Sequence, residues 1–281
     1  MHQSAQDYFE RAHTLKAKAE GARKALQKTE SEQKKISSKA EKERNKGKVS
    51  SVRRTRRFWF ERYRWGIVGP GRLMVGGRDA RGNDAVVKKH LSTGDLYLHA
   101  DLHGAASCAL KRVDGLELGG DEGIVSEGVC NFRIVQSIDG APEDLQMLSE
   151  DEKEEAAALA ACWSRAWGAG SAAATAFHVR PSQVSKATES GEALGRGSFV
   201  VRGNRGWHRD LVLKMAIGLG TVNGIPMPVP GSVSAIGNLC DRWVEITPGR
   251  EKKEDVARRI SKATGLDPVS YTHLRAHETD R

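Results

Sequence analysis

The apolar and polar positions of this chain follow two different patterns, and the change between them falls near residue 57. From Tyr8 to Ala40, small or apolar residues recur at alternating spacings of four and three, which is the heptad pattern of a helix that packs along one seam. After Phe58 the pattern changes to short apolar runs separated by glycines, which predicts strands joined by turns. The sequence therefore predicts a long helix followed by a sheet domain.

The first segment, residues 1–50, is predicted to form the second helix of a coiled-coil arm. It contains no proline and is rich in Ala, Lys, Glu and Gln, which favour helix. Its seam is mostly alanine and buries little area, so this helix needs a partner. We expect an upstream coiled-coil helix that this sequence lacks. A charged helix that pairs with a second copy of itself is the alternative.

The strand pattern is clearest at 95–101, where apolar residues alternate with a second set that includes His99 and Asp101. A glycine-rich hairpin turn is predicted at 76–84. Further strands are predicted at 58–60, 64–68, 72–75, 85–91, 174–179, 197–202, 210–216 and 241–247. The sequence thus predicts an α+β fold, with a mixed or antiparallel sheet and few helices, preceded by a long coiled-coil helix.

Two helices are predicted within or after the sheet domain. Ser149 and Glu152 form a capping box that begins the first, and Gly168 is a suitable end for it. The second covers 251–264 and ends at Gly265. Between them, prolines at 226, 228 and 230 are expected to separate the sheet domain from the C-terminal part of the chain.

These patterns divide the chain into five segments. The last of them has no periodicity and resembles translated adaptor sequence, so we expect it to be non-native and assign no role to His273 and His277. The segments are 1–50 (coiled-coil helix), 51–57 (basic linker), 58–225 (sheet domain), 226–266 (C-terminal extension) and 267–281 (adaptor-derived tail).

Composition excludes some classes of protein. With 38% hydrophobic and 29% charged residues among 281, and no apolar run long enough to span a bilayer, an integral membrane protein is excluded. The four cysteines are far apart and form no C-x-x-C pair, which indicates reduced thiols and a cytoplasmic location. The net charge of +9 is concentrated at the start, because residues 1–57 hold 17 Lys/Arg and 7 Asp/Glu. A basic cluster of this kind indicates nucleic-acid contact or a flexible linker.

Several motifs in the sheet domain resemble those of one known family. In order, they are Gly76–Ala80, Val87–Lys89, Asp95–Ala105, Ser164–Trp167, Pro181–Lys186, Gly191–Glu192, Gly197–Phe199 and Arg202–Gly203. Over about residues 56–216 they resemble the signature of the NFACT RNA-binding domain, NFACT-R, and an upstream coiled coil is also the family's arrangement. The sequence of the motif at His99–Gly104 is similar to the one in the archaeal and eukaryotic branch of the family. The lack of an acidic C-terminal domain favours an archaeal source.

The resemblance implies the C-terminal half of an archaeal NEMF/RqcH-type ribosome quality-control factor. Its implied partners are tRNA, ribosomal RNA and the large ribosomal subunit during the handling of stalled nascent chains. Tail synthesis on such chains is credited mainly to an N-terminal domain that this sequence lacks. We therefore expect this chain to bind RNA without tailing and without a cofactor.

The strongest candidates for metal binding or catalysis are His99, Asp101 and His103. Their i, i+2, i+4 spacing would put them on one face of a continuous strand. Two imidazoles and a carboxylate could bind zinc or iron, which would support a metal-dependent hydrolase acting on RNA or nucleotides. They could instead form a hydrogen-bonded cluster without a ligand, or contact ribose hydroxyls and unstacked bases. The family resemblance favours RNA, so no metal is expected.

The remaining candidates are cationic or polar residues that could contact RNA. Arg205 and Trp207 share a tight turn. The turn could present Arg205 as a phosphate contact beside Trp207 as a stacking surface, or it could be an ordinary turn with Trp207 packed in the core. The predicted RNA-binding residues are Arg78, Asp79, Lys88, Lys89, His99, Asp101, His103, Ser107, Gln183, Ser185, Lys186, Arg202 and Arg205, and Lys111 and Arg209 are further possible phosphate contacts. No nucleophile elbow or phosphate-binding loop is present, so a non-enzymatic RNA-binding module is preferred over the hydrolase and over a protein scaffold.

Overall fold

A computed structural model describes residues 58–111, 115–118, 130–135, 148–187 and 194–266, together with Lys16 and Arg23. The chain divides into two units, 1–48 and 49–281, and the second contains all the elements given below. Apart from Lys16 and Arg23, the predicted coiled-coil arm lies outside the described residues, as do the basic linker and the adaptor-derived tail.

Most of the described chain is strand. The strands are β1 (Arg64–Val68), β2 (Arg72–Gly76), β3 (Leu96–Ala100), β4 (Cys108–Leu110), β5 (Gly115–Leu118), β6 (Cys130–Val135), β7 (Ala173–Val179), β8 (Val184–Ser185), β9 (Val200–Val201), β10 (Gly206–Val212), β11 (Met215–Val222), β12 (Ile225–Gly231) and β13 (Trp243–Ile246). All except β8 and β9 belong to one sheet, in the order β10-β7-β3-β4-β2-β1-β12-β11-β6-β5, and β13 also pairs with β11.

The helices are fewer and mostly short. They are α1 (Ala80–Ala85), α2 (Glu150–Cys162), α3 (Arg165–Gly168), α4 (Val233–Leu239) and α5 (Lys253–Thr264), with 3₁₀ turns at Trp59–Arg62 and Pro181–Gln183 and a π-helical turn at Val86–His90. None of the described helices is both long and apolar enough to cross a lipid bilayer.

The sheet is mixed, which confirms the predicted α+β fold. Most neighbouring strands are antiparallel, as in β1–β2 and β3–β7, whereas β12 runs parallel to β1 and β6 runs parallel to β11. The predicted strand at 95–101 is observed as β3, with its predicted alternation. Leu98 packs in the core beneath α2, and Tyr97 packs on the opposite face.

Helix α2 covers one face of this sheet. It begins at the predicted capping box, in which Ser149 Oγ accepts from the Glu152 backbone N–H and Glu152 accepts from that of Ser149. Its alanines and Leu159 pack in a cluster with Met74, Leu98 and residues of β4, β7 and β11. The other face of the sheet is therefore free to carry α1 and the loops that form the candidate site.

Residues 76–91 fold differently from the prediction of a hairpin turn followed by a strand. They form α1 and the π-helical turn instead, with Asp79 as the N-cap, because its carboxylate accepts from the Gly82 backbone N–H at 2.6 Å. Gly77 allows this helix to approach closely, since a Cβ there would lie 2.1 Å from the Asn83 side chain. Likewise, the predicted strand at 58–60 is a 3₁₀ turn.

The prolines at 226, 228 and 230 do not end the sheet. They lie within β12, which pairs with β11 along its whole length and meets β1 where Gly231 lies opposite Ile67. Because the prolines occupy alternate positions, their missing N–H groups point to the same side, and the intervening residues keep the ladder with β11. Residues expected to form a C-terminal extension therefore supply β12 and β13 to the same sheet.

Candidate nucleic-acid interface

A half-open cleft of about 600 Å³ lies on the sheet face that α2 leaves uncovered. Its floor is formed by β3 and β7, where Tyr97, His99 and Phe177 point away from α2. One wall is the N-terminal end of α1 with the turn that follows β3. The other is the segment 196–201. Elements far apart in sequence thus meet at one concave site.

The cleft collects positive charge that the sequence scatters. Among the described residues, the cationic side chains that line it are Arg64, Arg78, Arg196 and Arg205. All of them are arginines, whose planar guanidinium groups can bind a phosphate through two hydrogen bonds. The two aspartates of the lining, Asp79 and Asp101, leave an excess of positive charge there.

His99 lies on the cleft floor between two aromatic rings. Its ring is stacked on Tyr97 at 6.4 Å between centroids and lies 5.9 Å from Phe177. Burial lowers the pKa of His99, although hydrogen bonds with the backbone at Ala100 and Ala105 act in the opposite direction. The imidazole is therefore neutral near pH 7.

A buried hydrogen-bond network holds the cleft wall to the sheet. The Ser107 backbone N–H donates to Asn83 Oδ1 at 2.9 Å, and the Asn83 amide donates to the carbonyl of Ala105. The Ser107 hydroxyl pairs with that of Tyr97 at 3.1 Å. Burial raises the pKa of Tyr97, so its hydroxyl stays protonated. Ser107, a predicted RNA contact, thus lines the cleft, but its hydrogen bonds fix the position of α1.

Asp101 and His103 lie at the rim, beyond the end of β3. The strand ends at Ala100, and a turn carrying Gly104 in the left-handed region leaves both side chains exposed. His99, Asp101 and His103 therefore do not share one strand face. Among the described residues, no group of three His, Cys, Asp or Glu could hold a metal ion. Nothing in this geometry supports the hydrolase alternative.

The exposed Arg78 also has a structural contact. Its guanidinium donates to the backbone carbonyls of Glu61 and Tyr63, at 2.8 and 3.0 Å. This anchors the side chain beside the cleft rather than in a salt bridge with its neighbour Asp79, whose carboxylate caps α1. Arg78 therefore presents a fixed guanidinium to the cleft.

Lys186 holds one cleft wall instead of facing the cleft. Its ammonium donates to Asp84 Oδ1 at 2.7 Å and to the carbonyls of Gly195 and Ser198, and it lies 4.6 Å from the centroid of the Phe199 ring. Asp84 also accepts from the Gly197 backbone N–H at 3.0 Å. The hydrogen bond from Lys186 lowers the pKa of Asp84, so this carboxylate is ionised near pH 7.

Five other predicted site residues also lie outside the cleft. Gln183 donates to the carbonyls of Arg202 and Asn204, and Ser185 caps its own turn at Ala187. Arg202 is exposed and donates to the Ala187 carbonyl, so it joins the same β8–β9 region. Lys88 and Lys89 are exposed on the π-helical turn. Lys111, a further candidate, is buried in an ion pair with Asp95.

Arg205 and Trp207 lie together at the surface, which is one of the two arrangements that the sequence left open. Trp207 is 41% exposed, and the Arg205 guanidinium lies 4.7 Å from the Phe177 ring centroid and 5.7 Å from that of Trp207. The sequence did not reveal Phe177, Phe199 or Arg196 as site residues. Their positions in the sequence gave no signal, because only the tertiary approach of β7 and the 196–201 segment brings them to the cleft.

Residues 57–203, slightly more than half of the chain, match the family described as the NFACT protein RNA binding domain. This chain belongs to the NFACT family. The predicted resemblance is thereby confirmed, and apart from Arg205 the whole lining of the cleft lies within the matched residues.

Relatives of known name match the same chain. The archaeal Rqc2 homolog aRqcH of Methanocaldococcus jannaschii is 28% identical over 217 residues, covering 76% of this chain and 28% of that protein. The ribosome quality control complex subunit NEMF of Homo sapiens is 35% identical over 158 residues, covering 56% of this chain and 12% of that protein. The chain therefore spans less than a third of the length of these NFACT relatives.

A solved structure is also similar in part. The C-terminal region of the fibronectin/fibrinogen-binding protein from Streptococcus suis covers 58% of this chain and 51% of its own, with a TM-score of 0.37 and 16% identity.

Proposed function

We propose that this chain is an RNA-binding module of a ribosome quality-control factor, and that the arginine-lined cleft is its RNA site. The observation that carries the proposal is the gathering of four arginines, a neutral His99 and two carboxylates in one cleft of the domain that matches the NFACT RNA-binding family. Arginines suit phosphates, whereas imidazole and carboxylate suit ribose hydroxyls and base edges.

The partners follow from the relatives. Because proteins named as ribosome quality control subunits share this domain, tRNA and the RNA of the large ribosomal subunit are the proposed ligands, in the cytoplasm. Of the seven predicted site residues in the cleft, six are proposed to contact these RNAs, whereas the buried Ser107 is proposed to hold α1 in place. We assign Lys186, Gln183, Ser185 and Arg202 a supporting role for the cleft wall, and Lys88 and Lys89 an outer phosphate contact.

Binding without catalysis is proposed because the cleft offers no activated nucleophile. Burial raises the pKa of the Cys162 thiol to about 12, so this side chain stays protonated and unreactive. Cys108 and Cys240 are also buried, and none of these three cysteines lines the cleft.

The test is a titration of the chain with labelled tRNA and with purified large ribosomal subunits over a salt series. Phosphate contacts release counterions, so the logarithm of the affinity is expected to fall linearly with the logarithm of salt concentration. Arg196→Ala and Arg205→Ala should each weaken binding and reduce that slope by about one.

Arg258→Ala is the matched control. This arginine is 76% exposed on α5 and does not line the cleft, so its loss should leave affinity and slope near those of the unaltered chain. An affinity that does not change with salt, or that equals the affinity for polyglutamate, would overturn the proposed function.

A further inference from the structure

A row of aromatic rings crosses the sheet from the cleft floor to an open edge. His99 on β3, Phe177 on β7 and Trp207 on β10 are neighbours across adjacent strands, because Phe177 pairs with His99 on one side and with Trp207 on the other. Their ring centroids are separated by 5.9 and 5.3 Å. Paired residues of antiparallel strands share one face, so the three rings form a continuous strip.

The strip lies on the face that α2 does not cover. The residue before Phe177, Ala176, packs in the cluster beneath α2, and the alternation of a strand turns Phe177 to the opposite side. Strand β10 is the last strand of the sheet on this side. The strip therefore begins inside the cleft and ends at solvent, where Trp207 is 41% exposed.

Two arginines flank the exposed end of the strip. The guanidinium carbon of Arg205 lies 5.7 Å from the Trp207 ring centroid, and that of Arg209 lies 5.9 Å from it. Both are exposed, and they precede and follow Trp207 by two residues. A stacking surface between two cations matches the alternation of base and phosphate along a nucleic-acid strand.

We propose that this strip binds a single-stranded RNA segment, with one base stacked on Trp207 and the chain continuing over Arg205 into the cleft. The proposal rests on the proposed function and names the form of RNA that the same site takes. A base can reach Trp207 only if it is unstacked, because paired bases in an A-form helix present phosphates and ribose to the protein and not their faces. The strip thus selects loops and ends over duplex.

The experiment compares a labelled oligoadenylate of about ten nucleotides with an RNA hairpin whose stem has the same number of phosphates. The full chain is expected to bind the single strand more tightly. Trp207→Ala should weaken single-strand binding by roughly 5- to 150-fold, the effect of one lost base–aromatic stack, and change duplex binding little. Trp207→Phe, which retains a stacking ring, should recover most of the affinity.

Val212→Ala provides the matched control, because Val212 is an apolar residue of the same edge strand and is 59% exposed. The affinity of Val212→Ala for the oligoadenylate should equal that of the unaltered chain, and thermal melting confirms that each variant is folded. In the unaltered chain, tryptophan fluorescence should be quenched by oligoadenylate, and much of that quenching should be lost in Trp207→Phe.

The outcomes separate the strip proposal from the proposed function. If Trp207→Ala binds the single strand normally while Arg196→Ala does not, the strip is not the binding surface and the proposed function stands. Equal affinity for the single strand and the hairpin also overturns the strip proposal alone. A chain that binds neither RNA overturns both.

Discussion

At the scale of single residues, the least expected finding concerns Lys186. The sequence suggested a phosphate contact, because a lysine in a polar loop after a proline is commonly exposed. In the structure its ammonium is held by Asp84 and two backbone carbonyls, and it ties the segment carrying Arg196 to α1. A sequence gives the charge of such a residue but not whether another part of the chain neutralises it.

Asp84→Asn tests this positioning role. Loss of the carboxylate should loosen the 194–199 segment and weaken RNA binding by about two- to tenfold, the size of effect expected for one lost hydrogen bond. A lysine that contacted phosphate directly would instead be released by this change, and the affinity would stay the same or rise. Binding to labelled tRNA at constant salt distinguishes the two results.

The control for that measurement is Asp255→Asn on α5. It removes the same negative charge from an exposed residue that pairs with Arg258, so it reproduces any general gain in attraction to RNA. Asp84→Asn is therefore judged relative to this variant. If Asp84→Asn bound tRNA with the same affinity as Asp255→Asn, the positioning role of Lys186 would be wrong and a direct contact with phosphate would be favoured.

A second residue-scale feature is the pair formed by His178 and His208 beneath the N-terminal end of α2. His178 Nδ1 and His208 Nε2 lie 2.8 Å apart. Burial, followed by the proximity of His208 and Lys153, lowers the pKa of His178 to about 4, and Glu150 opposes this shift only in part. Burial also lowers the pKa of His208, against the effects of Glu154 and Glu150. The folded state therefore holds both rings neutral.

This pair predicts a pH dependence of stability. In the unfolded chain a histidine titrates near pH 6.5, so between about pH 6.5 and 4 the unfolded state binds more protons than the folded state. The contribution of this pair to the free energy of unfolding should accordingly be complete above pH 6.5, and it should decrease as the pH falls toward 4. Urea denaturation at a series of pH values measures this decrease.

His178→Gln should reduce that dependence, because the variant has no ring to protonate. The unaltered chain and His178→Gln are compared at pH 7 and pH 5. The loss of stability between the two values should be smaller in the variant. An identical loss in both proteins would place the titration at other groups.

At the scale of elements, the sequence predicted those with strong local signals. The α2 capping box, the alternation of β3, and Gly265 as the left-handed end of α5 are all observed. Prediction failed where distant contacts override local preference. Residues 85–91 are rich in valine and predicted a strand, yet Asp79 and the buried Asn83 fix a helix there.

The strand β12 is another element that local sequence signals did not predict. A substitution at Gly231 tests its position in the sheet. A Cβ at this position would lie 2.4 Å from the Ile67 carbonyl oxygen of β1, which is backbone and cannot move aside. Gly231→Ala should therefore lower the free energy of unfolding by about 1–3 kcal/mol, as overpacking does. Urea denaturation measures the change.

Gly195→Ala is the appropriate comparison. No atom lies within 4 Å of a Cβ placed there, so its stability should be unchanged or slightly raised. If Gly231→Ala were as stable as Gly195→Ala, β12 would not approach β1 as closely as described, and residues after 225 would form a separate extension.

At the scale of the whole molecule, the sequence predicted the fold class and the family but only part of the candidate site. Seven of the thirteen predicted residues line the cleft, and all thirteen lie in described residues. Five of these seven belong to the motifs Gly76–Ala80 and Asp95–Ala105, whereas Ser107 and Arg205 lie outside them. Phe177 and Arg196 were missed because β7 and the 196–201 segment reach the cleft only through pairing with β3 and contact with α1.

Charge also has to be judged on the folded molecule. By sequence, the excess of basic residues lies in 1–57, and the remainder is close to neutral. Folding nevertheless concentrates four arginines in the cleft, against two aspartates in the same lining. A nearly neutral domain can therefore present a strongly positive site, because the local electrostatic field depends on how the charges are arranged and not on the net charge.

The pairing of β1 with β12 has a consequence for how the protein is made. Residues 64–68 acquire their second neighbouring strand only from residues 225–231, so nearly the whole domain must be translated before the centre of the sheet can close. Such a high contact order slows folding and leaves strand edges open during synthesis. If the ribosome stopped late in its own synthesis, this domain would therefore be left incomplete and exposed to aggregation.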